Sequence, residues 1–206
     1  MNLRNFELFV FLLKRLFLEF EKDILSCIET LKSGGIILYP TDTIWGIGAD
    51  ATNPEAVKKI FELKQRPDGK SMIVLISDSR DIIRYVSRPH PYIAEYLENI
   101  DRPTTVIYDG VLGLAENLAG EDGSIAIRIV KEDFCRHLIK RFKKPLVSTS
   151  ANISGVSAPE NFAGISEEIK SGVDYIVKFR QHDNRTVKPS LLVRFTDAGE
   201  PIVLRS

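Results

Sequence analysis

Apolar and polar positions along the chain follow two different periods, and the switches between them mark out its elements. From Glu21 to Lys32 the apolar residues Ile24, Leu25, Ile28 and Leu31 recur at three-and-four spacing, which predicts an amphipathic helix capped near Gly34. Ile36 to Tyr39 is an apolar run held between Gly34-Gly35 and Pro40, too short for a helix and therefore predicted to be a buried strand. Asn53 and Pro54 supply an N-cap and a first-turn proline to a helix that carries Ala56, Val57, Ile60, Phe61 and Lys64 on one stripe. Met72 to Ile76 is again continuously apolar, and Thr104 to Tyr108 is a β-rich run entered through Pro103. Ser124 to Arg128 alternates, so that Ser124, Ala126 and Arg128 share one strand face. Glu132 to Arg141 shows a helical apolar face of Phe134, Leu138 and Ile139, continued by Phe142 and stopped by Pro145. Leu146-Val147, Asp174 to Arg180, Leu191 to Val193 and Ile202 to Arg205 predict further strands; Asp81 to Val86 and Ile93 to Leu97 predict short helices. Strands interspersed with helices make an α/β chain.

Composition narrows the picture. With 206 residues and 44% hydrophobic content the chain is long enough for one large core, and no linker divides residues 21–206. Residues 1–20 read as an N-terminal apolar extension. Its apolar run, Leu8 to Leu13, is too short to span a bilayer and is followed by Lys14-Arg15 without a cleavage signature. Lys plus Arg balances Asp plus Glu at 28 each, so no global basic field attracts nucleic acid, and any RNA contact requires a local patch. Cys27 and Cys135 have no metal-binding spacing, and His90, His137 and His182 are scattered; no metal site is expected, and the thiols suit a reducing cytoplasm.

Two familiar phosphate motifs are nearly spelled and both fail. Gly69-Lys70-Ser71 resembles the tail of a P-loop, yet the first glycine of that motif falls on Lys64. Gly46 to Ala51 spells a dinucleotide fingerprint, yet the helix opens later, at Asn53-Pro54. The chemistry lies in three other clusters. Thr41, Asp42 and Thr43 form a polar corner where the first strand ends. Lys64 and Arg66, with Pro67 drawing Arg66 out of the helix, either converge on a polyphosphate or simply complement the helix dipole. Ser148-Thr149-Ser150-Ala151-Asn152 crowds hydroxyls and an amide at a strand exit, which either presents donors to an anion or satisfies its own turn. Arg128, in mid-strand, needs an anionic partner, either a substrate carboxylate or a structural Asp or Glu.

The runs YPTDTIWGIGADA, KQRPDGKSM and STSANISG, in that order, resemble the YrdC/TsaC family of threonylcarbamoyl-AMP synthases, and the resemblance covers roughly residues 22–205. It implies a twisted mixed sheet with flanking helices around a central concave cavity. It also implies a cytoplasmic nucleotidyltransferase that joins L-threonine, bicarbonate and ATP, with Mg2+, into threonylcarbamoyl-AMP and pyrophosphate. The product feeds the tRNA threonylcarbamoyl-transfer machinery. By this resemblance Lys64 and Arg66 are catalytic and hold phosphates, while Thr41, Arg128 and Ser190 hold threonine. Ser124, Ser148, Ser150, Asn152 and Arg205 complete the nucleotide side. The Lys64-x-Arg66 pair favours the synthase branch over the sister branch typified by YciO. Arg102 replaces a usual glycine and Leu191 a usual threonine, so both local loops depart from the family pattern. The alternative is a protein of the same fold that binds double-stranded RNA, or tRNA, without synthase activity.

Overall fold

The computed structural model describes residues 19–66, 72–185, 189–196 and 198–206. Most of the apolar N-terminal extension and the Gly69-Lys70-Ser71 turn, with Pro67, therefore lie outside the described residues.

Nine strands of the described chain form one mixed sheet in the order β7-β1-β2-β6-β3-β5-β4-β8-β9. They are β1 (Ile37–Tyr39), β2 (Gly46–Asp50), β3 (Ile73–Ile76), β4 (Thr104–Tyr108), β5 (Ile125–Ile129), β6 (Leu146–Ser150), β7 (Tyr175–Ile176), β8 (Leu191–Phe195) and β9 (Pro201–Arg205). The helices are α1 (19–32), α2 (Pro54–Leu63), α3 (Ile93–Asn99), α4 (Asp133–Phe142) and α5 (Glu167–Ser171). β3 runs parallel to β5, and β4 parallel to β8, while β6 joins β2 to β3 by antiparallel pairing on both sides.

Most of the predicted elements form where periodicity places them. On α1, Ile24, Cys27 and Leu31 are buried, but Leu25 is 56% exposed, so the inward stripe is one residue narrower than the apolar pattern suggests. The segment 174–180 shortens to the two residues of β7, and 79–84 is a 3-10 helix rather than an α-helix. β2 is the strand that apolar patterning misses, because glycine weakens a strand unless something approaches its backbone closely. Something does. A Cβ at Gly48 would meet the Tyr39 ring at 2.6 Å, and one at Gly46 would meet Ser148 Oγ at 3.1 Å. The glycines that mimic a dinucleotide fingerprint are there to seat β2 between β1 and β6.

Asp23 ties the first helix to the far edge of the sheet. Its buried carboxylate accepts hydrogen bonds from the Tyr175 hydroxyl (2.7 Å) and the backbone N–H groups of Lys178 (3.0 Å) and Phe179 (2.7 Å). That junction fixes the segment leading into Arg180, which reaches the candidate site.

Candidate functional site

Strand register aligns the site. Ser148 pairs with Ile73, Ile73 with Ala126, and Ala126 with Ile107, so these residues form one row across β6, β3, β5 and β4. A second row runs Arg128, Thr105, Leu192, Arg205 across β5, β4, β8 and β9. Paired residues face the same side of a sheet. Above these rows lies a cavity of about 370 Å³ lined by Thr41, Thr43, Trp45, Gly46, Arg66, Ala126, Arg128, Ser148, Ser150, Ser190 and Arg205, among others. Of the residues singled out in the sequence it gathers Thr41, Arg66, Arg128, Ser148, Ser150, Ser190 and Arg205. Lys64, Ser124 and Asn152 are outside its described lining.

Lys64 and Arg66 part company at the end of α2. Gln65 takes a left-handed conformation (φ 49°), the Gln65 N–H donates to the Glu62 carbonyl (3.0 Å), and the Arg66 N–H donates back to the Phe61 carbonyl (2.9 Å). This is a Schellman stop with glutamine where glycine is usual. It sends Arg66 to the cavity and Lys64 inward. The Lys64 ammonium donates to the carbonyls of Ser150 and Asn152, both at 2.5 Å. The Ser154 N–H donates to the Lys64 carbonyl at 2.8 Å. Lys64 is 1% exposed, and burial, reinforced by the nearby Arg66 charge, lowers its pKa from 10.5 to about 8. In this structure the two cations do not converge on one point; Lys64 braces the Ser150–Asn152 backbone from behind while Arg66 faces the hollow. Burial also lowers the pKa of Arg66.

Arg128 meets the polar corner. Its Nη2 lies 3.1 Å from Asp42 Oδ1, with both side chains buried, and its Nη1 donates to Thr43 Oγ1 at 3.3 Å. The Asp42 pair is close in charge but poorly aligned, since neither Asp42 oxygen, nor Arg128 Nε, has a hydrogen-bond partner among the described residues. Asp42 is the structural carboxylate that the mid-strand arginine called for, and the buried Nε of Arg128 still has donor capacity. The corner is knit internally: Thr41 Oγ1 donates to the Ile44 carbonyl (2.7 Å), accepts from the Thr43 N–H (3.0 Å) and touches Thr43 Oγ1 (3.0 Å). On the opposite wall, Ser190 Oγ contacts Thr105 Oγ1 at 2.8 Å, and Arg205 Nη2 donates to the Ser190 carbonyl at 3.2 Å.

Ser124 and Asn152 face other partners. Ser124 donates through both N–H (3.0 Å) and Oγ (2.6 Å) to Asp122, closing the turn before β5. Asn152 donates to the carbonyls of Ile153 (3.0 Å) and Val156 (2.6 Å), although its buried Oδ1 has no partner among the described residues. The alternation that put Ser124 on the face of Arg128 is correct for Ala126 and Arg128, but the strand begins one residue after Ser124.

Arg180 is the site residue that sequence reasoning passes over. It holds φ 67°, unusual for a residue with a side chain, and its Nη1 donates to the Thr41 carbonyl at 3.1 Å. The same guanidinium pairs with Glu132 (3.5 Å) and Asp183 (3.0 Å), and burial raises the pKa of Glu132. The sequence places Arg180 only at the end of a predicted strand, with no sign of a partner; the signal is the fold that brings it 139 residues back to Thr41.

Among the described residues no group of His, Cys, Asp and Glu is arranged to hold a metal ion, and no helix is long and apolar enough to cross a membrane.

Comparison with known proteins supplies the family. Residues 29–206 match the Sua5/YciO/YrdC family model, described as "Telomere recombination". A threonylcarbamoyl-AMP synthase from Marinobacter nauticus is 34% identical over 168 residues, covering 80% of this chain and 87% of that protein. The P. abyssi Sua5 structure complexed with L-threonine superposes with a TM-score of 0.77 at 25% identity over 88% of this chain; the match spans 53% of Sua5, about half its length. E. coli YciO shares the fold, with a TM-score of 0.74 at 24% identity over 88% of this chain and 87% of that one. With a cationic, hydroxyl-lined hollow set on a mixed sheet and a family match over most of its length, the chain belongs to the Sua5/YciO/YrdC family.

Proposed function

We propose that the protein is an L-threonylcarbamoyl-AMP synthase, a nucleotidyltransferase that makes threonylcarbamoyl-AMP and pyrophosphate from L-threonine, bicarbonate and ATP. The observation that carries this reading is the cavity of about 370 Å³ in which Arg66, Arg128 and Arg205 face Thr41, Ser148, Ser150 and Ser190. Its size is in the range of small-molecule sites, and its cations suit a reaction that assembles several anions.

In this reading Arg128 holds the threonine carboxylate. Its guanidinium lines the cavity, and Asp42 and Thr43 fix its direction. Thr41 and Ser190 flank the amino acid. Arg66 and Arg205 draw the phosphates, and Ser148 and Ser150 present neutral donors where anions must approach closely. Lys64 acts by bracing the Ser150 and Asn152 carbonyls, which sets the path of the hydroxyl-bearing strand exit. Ser124 and Asn152, outside that lining, would serve the nucleotide only after leaving their present partners.

The described lining contains no carboxylate, so it suits a magnesium ion that arrives on the triphosphate and keeps its waters rather than one caged by protein. That ion supplies shielding of the β- and γ-phosphate charge. The chain's own contribution is positioning and fixed positive charge where charge grows on departing pyrophosphate. Two buried, unbridged thiols, Cys27 and Cys135, fit a cytoplasmic setting; the product would pass to the tRNA threonylcarbamoyl-transfer machinery.

The test is pyrophosphate release from ATP in the presence of bicarbonate and each amino acid in turn. Release should depend on threonine, and Arg66→Ala should lower turnover about 100-fold to 1,000-fold, the usual cost of removing one preorganised charge-stabilising donor. Release that ignores the amino acid, or an unaffected Arg66→Ala enzyme, overturns the reading.

A further inference from the structure

The sheet has two faces, and the cavity occupies one of them. Leu192 lines the cavity, so Phe195, an odd number of places further along β8, points to the opposite face. There it meets α3 and the turn between β8 and β9, which together border a second hollow of about 480 Å³. Tyr92, Tyr96 and Phe195 give this hollow aromatic walls, and Glu95 and Asn99 give it a polar edge.

The rings are held by one another before any ligand arrives. Tyr96 meets Phe195 edge-on, with centroids 5.2 Å apart and planes at 85°. His90 lies nearly parallel to Phe195 at 6.5 Å and tilts against Tyr92 at 5.4 Å. Gly199 permits this fit: it stands at φ 84°, and a Cβ there would come within 2.5 Å of the His90 ring and 3.1 Å of Tyr92. Tyr92 is nevertheless 62% exposed, so aromatic surface is left uncovered. Rings already fixed by their neighbours lose little further freedom when a ligand settles on them.

The charge of the hollow has one sign. Glu95 is the only charged residue in its described lining; it is exposed and forms no ion pair among the described residues. Aromatic faces carry the negative part of the ring quadrupole, and a carboxylate beside them adds to the same field. An anion is repelled by both. A compact ammonium ion is strongly hydrated and keeps its water, whereas a cation whose charge is spread over methyl groups gains from the apolar walls and from the field together.

We propose that this hollow binds a small methylated ammonium ion, with its methyl groups against Tyr92, Tyr96 and Phe195 and its charge toward Glu95. A volume of about 480 Å³ is in the range of small-molecule sites. Choline lipids carry the same group, but their phosphate would be brought toward Glu95, so the ligand is the free ion. The site lies on the face away from the cavity and does not rest on the synthase reading.

The experiment is NMR of the full chain, following the ring signals of Tyr92, Tyr96 and Phe195 as choline is added up to about 50 mM. The signals should shift saturably with a Kd on the order of 1 to 10 mM, in keeping with so small a ligand. Dimethylbutanol, the uncharged carbon isostere of choline, and the zwitterion trimethylglycine should each bind about fivefold more weakly or worse. Tyr92→Leu keeps apolar bulk without an aromatic face and should weaken choline about threefold or more, Tyr92→Phe should restore it, and Glu95→Gln should weaken it about threefold. Unmoved ring signals at about 50 mM choline, equal binding of dimethylbutanol or trimethylglycine, or full affinity in both Tyr92→Leu and Glu95→Gln overturns the proposal. Sedimentation with phosphatidylcholine vesicles, without a response to free choline, also overturns it by assigning the hollow to a membrane surface.

Discussion

The two ends of β3 use positive charge in opposite ways. At the N-terminal end two cations are buried and committed: Arg128 lies against Asp42 and Thr43, and Lys64 is held by two carbonyls. At the C-terminal end, on α4 and just past it, Lys140 and Lys143 stand in solvent. Buried charges are fixed in direction but costly to disturb, because removing one partner strands the other in a medium that solvates it poorly. Solvated charges cost almost nothing to hold and are screened within about 10 Å by ordinary salt. The buried end suits a small ligand that must be aimed.

Variants can break this contrast. The largest effect is expected for Arg128→Ala, which leaves Asp42 buried without its counter-charge and should cost about 3 to 5 kcal/mol of stability in a denaturant titration. Adding Asp42→Asn should return much of that loss. A wild-type midpoint for Arg128→Ala would place the arginine's charge in solvent, like those of Lys140 and Lys143.

Next is the pH response of Lys64. Its pKa is about 8 folded against 10.5 for an ordinary lysine, so below about pH 8 the folded state bears the whole penalty of a buried charge. Between about 8 and 10.5 the folded protein releases the proton that the unfolded chain retains. Stability of the wild type relative to Lys64→Met should therefore rise across that window, by about 3 kcal/mol in total. Referencing to the variant cancels the buried thiols and tyrosines, whose raised pKa values act in the opposite direction at higher pH. A flat difference between the two proteins means that Lys64 is solvated.

The smallest of the three is Arg180→Ala, expected to cost about 1 to 3 kcal/mol through its lost bonds to the Thr41 carbonyl, Glu132 and Asp183. Under the synthase reading it should raise the KM for threonine while leaving kcat nearly unchanged, because it positions the Thr41 corner without lining the cavity. An equal fall of kcat with unchanged KM would move Arg180 from positioning to the reaction itself.

Much of this was legible in the chain. Alternation correctly put Ala126 and Arg128 on one face, and the stripe Ala56, Val57, Ile60, Phe61 and Lys64 is buried as a unit. The polar corner at Thr41 and the hydroxyls of Ser148 and Ser150 line the same hollow because each lies at a strand end in a sheet whose register is enforced by buried neighbours. Illegible were β2, whose glycines matter only once the Tyr39 ring lies against them, and the divergence of Lys64 from Arg66, which depends on glutamine accepting a left-handed turn. Arg180 was equally hidden, because its partner Thr41 lies 139 residues away in sequence.

By itself, then, the sequence determined the periods, the helix caps and which polar residues would sit at strand ends, since those follow from backbone geometry over a few residues. Tertiary structure alone decided which cations share a cavity, which are spent on carbonyls and which stay in water. The reason is that a long flexible side chain chooses its partner from whatever the fold brings within about 3 Å, and no local pattern encodes that neighbour.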